Sequence, residues 1–215
     1  MYASGTLLDT MPGFFPSWTF ACEKLGLSIT EEEFYGFAGQ PMPDIIAQLH
    51  RNAGKGEMPE GYVQEFYSHK TEGMAAAHPD GFFPAPIDCV VSLMKEFLAR
   101  GVPVACATSG LRDHVDQHMR HAGLLELCPH ERIVVAADLP AGRGKPQPDI
   151  FLEAAKKIGV DPTKCRAFED GESGLLAAFR AGMQVVDVTT LDKYPLPHGL
   201  KVAKEKQAGA RTWHK

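Results

Sequence analysis

Residues 165–188 read CRAFEDGESGLLAAFRAGMQVVDV, and they decide the fold. A short apolar run, Cys165–Phe168, ends on the acidic pair Glu169 and Asp170. A helical stretch from Ser173 to Gly182 follows, and then a second apolar run from Gln184 to Val188. Strand, helix and strand with short turns describe two parallel strands joined by a crossover helix. The run VPVACA (102–107), further toward the N-terminus, is continuously apolar rather than alternating, as in strands buried on both faces.

The same unit recurs on the N-terminal side of this stretch. Val90, Leu93, Met94, Phe97 and Leu98 fall at i, i+3, i+4, i+7 and i+8, an amphipathic helix that stops at Gly101. VPVACA (102–107) follows as a strand, then a helix over Leu111–Ala122, a strand around RIVVAA (132–137), and a helix marked by Phe151, Ala154, Ala155 and Ile158. From Met11 to Phe83 the pattern changes to four helices: PSWTFACEKLG, EEEFYGFAG, PDIIAQLHRNAG and PEGYVQEFYSHKTEGMAAAH. Several end at glycine, a common stop. The expected architecture is an α/β core, a Rossmann-like parallel sheet over 1–10 and 84–215, with an inserted four-helix cap over 11–83.

Composition narrows the class of partner. The net charge of −5 gives no general attraction to nucleic acid or an anionic membrane. No apolar run approaches the roughly 20 residues that span a bilayer. Cys22, Cys89, Cys106, Cys128 and Cys165 are scattered, odd in number and without a CxxC pair, so they read as reduced thiols of a cytoplasmic protein. A monomer is expected.

In parallel sheets ligands gather at the carboxyl ends of the strands. Those ends should lie just after Tyr2, Ala107, Ala136 and Phe168. They supply Thr108, Ser109 and Gly110, then Lys145 within GKPQPD, then Glu169 and Asp170. Thr108, two backbone N–H groups and the Lys145 ammonium suit an anion. Glu169 and Asp170 suit a hard cation, since magnesium takes one or two carboxylates and fills its shell with water and phosphate oxygen. Phosphate with magnesium is the natural joint occupant.

GTLLDT (5–10), ATSG (107–110), GKPQPDIFLEAA (144–155) and FEDGESGLLAAFRAGM (168–183), in this order and spacing, resemble the haloacid dehalogenase (HAD)-like hydrolase superfamily. The likeness is to its β-phosphoglucomutase-like branch of phosphatases and phosphomutases, and it covers nearly the whole chain. It implies magnesium-dependent hydrolysis or transfer of a phosphate monoester on a small phosphorylated metabolite, such as a sugar phosphate. Thr108, Ser109, Gly110 and Lys145 would hold the phosphoryl group, and Glu169 and Asp170 the metal. FAGQPMPDII (37–46) resembles the cap segment that meets the substrate, which points to Gly39 and Gln40.

The resemblance also implies two aspartates that this chain lacks. Counting back from Gly5-Thr6, Tyr2 stands at the nucleophile position and Ser4 at the acid/base position. A tyrosine near pKa 10 is protonated at neutral pH and far bulkier than a carboxylate. Serine has no carboxylate to move the proton, and the metal loses an anionic ligand, so magnesium binding is expected to be weakened or absent. Only Met1 precedes Tyr2, where the family's first strand has several apolar residues. Two readings follow: a non-catalytic relative that binds a phosphorylated ligand or a protein partner, or a start that omits the aspartates.

Three secondary expectations complete the picture. His114, His118 and His121 have a spacing that could bind zinc, but the core stripe Leu111, Val115, Met119 and Ala122 leaves them flanking it near solvent. Thr108 and Ser109 could cap the next helix. The tail from Tyr194 to Lys215 is polar and basic and is expected to pack loosely or fray.

Overall fold

The structure is a computed structural model and describes residues 5–38, 40–140 and 142–196. The chain divides into two compact units, with breaks between Thr10 and Met11, between Phe82 and Phe83, and between Pro195 and Leu196.

The unit built on Met11–Phe82 carries α1 (Met11–Lys24), α2 (Glu31–Gly36), α3 (Met42–Asn52) and α4 (Tyr62–Ala77). Each helix has a local reason to start or to bury one face. A capping box opens α2: the Thr30 hydroxyl accepts from the Glu33 N–H at 3.2 Å, and the Glu33 carboxylate accepts from the Thr30 N–H at 2.8 Å. Pro43 sits in the first turn of α3, where a missing N–H costs nothing. Ile45, Ile46 and Leu49 then line its buried face. Aromatic rings lock the bundle, with Trp18 of α1 tilted against Phe66 of α4 at 5.2 Å and against Phe34 of α2 at 6.0 Å. Phe66 is fully enclosed, so truncating it to alanine should cost about 3–5 kcal/mol.

The other unit carries α5 (Asp88–Ala99), β1 (Cys106–Thr108), α6 (Arg112–His121), β2 (Ile133–Val135), α7 (Asp149–Lys157), β3 (Arg166–Glu169), α8 (Glu172–Arg180) and β4 (Gln184–Asp187). β1 pairs in parallel with β2, Ala107 opposite Val134, through the crossover helix α6. β3 pairs in parallel with β4, Phe168 opposite Val186, through α8. Every residue of β1 and β2 is buried, as strands covered on both faces require. One continuous core ties the pairs together: Ala107 and Val134 from the first, Ala167 from the second, Phe151 of α7 and Ala178 of α8. Before α5, Leu8 and Pro86 form an antiparallel bridge, flanked by Asp9 N–H to Ala85 O at 2.8 Å and Ile87 N–H to Leu7 O at 2.9 Å.

The α/β class expected from the sequence is present, with three differences in detail. The apolar run 102–107 contributes only its end to a strand, because just Cys106, Ala107 and Thr108 find partners on β2. Among the described residues the strands form two pairs rather than one continuous sheet. Leu111 does not join the core stripe; it is 63% exposed at the cap position of α6, while Val115 and Met119 are buried. No helix among the described residues is long and apolar enough to cross a membrane.

Candidate active site

The acidic pair at the carboxyl end of β3 organises the site. Glu169 is enclosed, and its carboxylate is spent in three directions. Oε1 accepts from Lys145 Nζ at 2.5 Å, and Oε2 accepts from the N–H groups of Asp170 at 2.6 Å and Gly171 at 2.9 Å. The Glu169 and Lys145 side chains are 2% and 1% exposed. The Lys145 ammonium also lies 5.0 Å from the Phe151 ring centroid, so α7 shapes its pocket. The loop that carries Lys145 is tied to α8 by Arg180, whose guanidinium donates to Pro146 O at 2.9 Å. Gly174, one turn into α8, makes room for Glu169: a Cβ there would lie 1.7 Å from Oε1.

Asp170 is held from the opposite direction by the start of the described chain. Thr6 donates its hydroxyl to Oδ1 at 2.8 Å. Gly5 passes so close that a Cβ would lie 2.1 Å from Oδ2, and its φ of +76° is one that side chains resist. Tyr194 donates its phenol to the Gly5 carbonyl, fixing the same turn from the far end of the chain. Burial, helped by the negative charges of Asp170 and Asp9, pushes that phenol upward. Burial is also the main reason the Asp170 carboxyl sits well above the usual carboxylate range. The Glu169 charge adds to it, while the Thr6 hydrogen bond and Lys145 oppose it.

At the end of β1, Thr108 is fully buried and its hydroxyl accepts from the Gly110 N–H at 3.1 Å. It does not cap α6, whose cap position is Leu111 with no side-chain bond. Ser109 is exposed beside it. The structure therefore brings Lys145, Glu169 and Asp170 into one network and places Thr108, Ser109 and Gly110 on a strand-end loop of the same unit. Gln40 lies in the other unit, exposed, with its N–H donating to Phe37 O at 2.9 Å. Tyr2, Ser4 and Gly39 lie outside the described residues.

The residues present suit a hard cation. Burial and the neighbouring Glu169 carboxylate oppose ionisation of Asp170, and a divalent ion beside it would favour the ionised form; magnesium needs only one or two such ligands. Asp170 is the better donor, since Glu169 already serves Lys145 and two amides. Among the described residues no group of three or more His, Cys, Asp or Glu side chains gathers as a metal cluster. The three histidines of α6 do not converge: His114 and His118 rings are 6.4 Å apart, and His121 stacks on Phe83 at 4.1 Å.

Gly5, Thr6 and Gly174 lie in the motif stretches, yet the sequence assigns them no role; the structure sets Gly5 and Thr6 against Asp170, and Gly174 against Glu169. Tyr194, expected to pack loosely or fray with the tail, is buried instead. The remainder of that tail, from Pro197, lies outside the described residues.

Comparison with known proteins points the same way. A family model described as haloacid dehalogenase-like hydrolase matches residues 4–188. The chain is 32% identical over 188 residues to the fructose-1-phosphate phosphatase YqaB of Escherichia coli K12, covering 87% of this chain and 93% of that protein. A Bacteroides vulgatus structure, provisionally named a beta-phosphoglucomutase, superposes with a TM-score of 0.70 at 22% identity, over 93% of this chain and 77% of that one. CbbY from Rhodobacter sphaeroides in complex with phosphate superposes with a TM-score of 0.65 at 26% identity, over 85% and 81%.

Proposed function

Since the chain belongs to the haloacid dehalogenase-like hydrolases, we propose that it falls in their β-phosphoglucomutase-like branch and carries a phosphate-monoester site that binds a small phosphorylated metabolite, in the sugar-phosphate class, without turning it over. The observation that carries this reading is the enclosed Lys145–Glu169 pair beside Asp170. It keeps a cation and two carboxylates at one strand end, which an idle fold has no need to maintain.

Lys145 supplies positive charge to a phosphoryl group, and Thr108 with the N–H groups of Ser109 and Gly110 supplies further donors. Asp170, with Glu169 behind it, would hold magnesium, which when bound polarises phosphoryl oxygen and offsets charge. The reaction of the family also needs a carboxylate to attack phosphorus and a second to move the proton of the leaving oxygen. Tyr2 and Ser4 stand at those positions and offer neither.

The test separates binding from turnover. Calorimetry with fructose 1-phosphate and with inorganic phosphate, with and without magnesium, should detect binding that is lost in Lys145→Ala. Phosphate release from the same esters should stay at background. Turnover near 1 per second, within the ordinary enzyme range, and abolished by EDTA would overturn the second half of the proposal. Absence of any phosphate binding would overturn the first.

A further inference from the structure

β3 and β4 end side by side, with Glu169 opposite Asp187. The chain leaving β4 turns back toward the acidic pair. The Asp187 carboxylate accepts from the Thr189 N–H at 3.0 Å and from the Thr189 hydroxyl at 2.6 Å, which opens one 3-10 turn over Val188–Thr190. Lys193 then takes a φ of +65°, and it is the one side-chain-bearing residue with a positive φ among the described residues. That conformation is uncommon outside glycine and persists only where the surroundings enforce it. Lys193 itself is exposed, while the next residue, Tyr194, is 9% exposed. The unusual backbone thus turns Tyr194 inward. Its N–H donates to Leu191 O at 3.2 Å, and its phenol donates to the Gly5 carbonyl.

The turn that the phenol grips is the one that frames Asp170. The Gly5 N–H donates to Leu8 O at 2.7 Å and closes it. Gly5 presses on one side of the carboxyl, where a Cβ would lie 2.1 Å from Oδ2, and the Thr6 hydroxyl donates to Oδ1 at 2.8 Å. The negative charges of Asp170, Asp9, Asp187 and Glu169 all lie near enough to act on the phenol, so Tyr194 shares the corner that the acidic pair occupies. An apolar side chain would fill this position equally well; only the hydroxyl reaches Gly5. We propose that Tyr194 is a positioning residue of the cation site, which fixes the Gly5–Thr6 turn and, through it, the orientation of the Asp170 carboxyl toward a divalent ion. The proposal rests on the reading of Asp170 as the magnesium ligand. A carboxylate already held in place loses less freedom when an ion binds, so holding it raises affinity.

Tyr194→Phe in the full chain keeps the ring and removes only the donor. In metal-free buffer, amide hydrogen exchange at Gly5 should quicken about tenfold, the scale of one lost hydrogen bond, while β1 and β2 stay unchanged. Magnesium affinity, read by calorimetry, should fall about tenfold for the same reason. Inorganic phosphate, titrated without magnesium, should bind both proteins equally, since Lys145 keeps Glu169 and Thr108 keeps its place on β1. A parent that binds no magnesium would overturn the cation reading itself, and this proposal with it. A parent that binds magnesium, beside a Tyr194→Phe variant that binds it as tightly, would overturn this proposal alone. So would faster exchange spread evenly through β1 and β2, or an equal loss of phosphate affinity, since either would make Tyr194 an ordinary core residue.

Discussion

Lys145 and Glu169 meet at 2.5 Å with almost no solvent on either side chain, in a pocket closed by Phe151 and the turn of α8 at Gly174. Charges held this way stabilise little as a pair, yet removing one partner strands the other away from water. Lys145→Ala should therefore destabilise the chain by about 3–5 kcal/mol. Lys145→Met combined with Glu169→Gln should recover most of that loss. Urea unfolding of Lys145→Met, Glu169→Gln and the double variant gives the cycle, and a double variant as unstable as Lys145→Met alone would refute the account.

Asp170 behaves in the opposite sense. Its carboxyl is raised well above the usual range, so the folded chain holds a proton that the unfolded chain releases. That contribution to stability is complete below the unfolded value of about 3.9 and is lost as pH rises toward the folded one. Asp170→Asn removes the burden and keeps a hydrogen-bond acceptor for Thr6. In metal-free buffer at neutral pH the variant should melt several degrees higher than the parent. Magnesium should raise the melting temperature of the parent and leave the variant where it is.

Cys106 gives an alkaline counterpart. Burial within β1 pushes its thiol up from 9.0 to about 12, so above pH 9 the unfolded chain loses a proton that the folded chain keeps. Folding stability should fall by about 1.4 kcal/mol per pH unit for this thiol between those two values. Cys106→Ala should lower stability at pH 7 through lost packing, but flatten the slope above pH 9. Thermal melts from pH 8 to 11 check both effects, and Tyr194→Phe should flatten the same curve further, since its phenol is raised too.

The substituted positions can be tested directly. A chain with an apolar stretch ahead of Met1, Tyr2→Asp and Ser4→Asp should release phosphate from sugar monophosphates in a magnesium-dependent way, because the positioning groups are already encoded. Tyr2→Asp alone should do less, since the leaving oxygen lacks its proton donor. An inert but folded double variant, across a broad panel of sugar and nucleotide monophosphates, would show that the rest of the site has drifted.

What the sequence made legible was local. The apolar spacing of Val90, Met94 and Phe97 marked α5, and the glycine at 101, with φ +73°, marked its stop. The four helices of Met11–Phe82 were readable for the same reason. Strand lengths were not, because pairing depends on a partner: the run 102–107 is uniformly apolar, but only its last residues meet β2. Lys145, Glu169 and Asp170 could be named from their stretches, whereas the way they are wired could not. Thr6 reaches Asp170 across 164 residues, and Tyr194 reaches Gly5 across 189. No periodicity encodes a contact at that distance. The division of labour within the acidic pair, Glu169 serving Lys145 and Asp170 facing Thr6 and Gly5, likewise emerges only from packing.

The bridge between Leu8 and Pro86 has an evolutionary consequence. It clamps the outgoing and returning chain side by side within one unit, with Asp9 bonded to Ala85 and Ile87 to Leu7. The sequence between is spliced into a doorway whose jambs are already fastened. The entropic cost of closing such a detour grows only with the logarithm of its length. Insertions, deletions or wholesale exchange between Thr10 and Phe83 therefore leave the parallel strands almost undisturbed, and selection can rewrite the helical module while Lys145, Glu169 and Asp170 stay where they are.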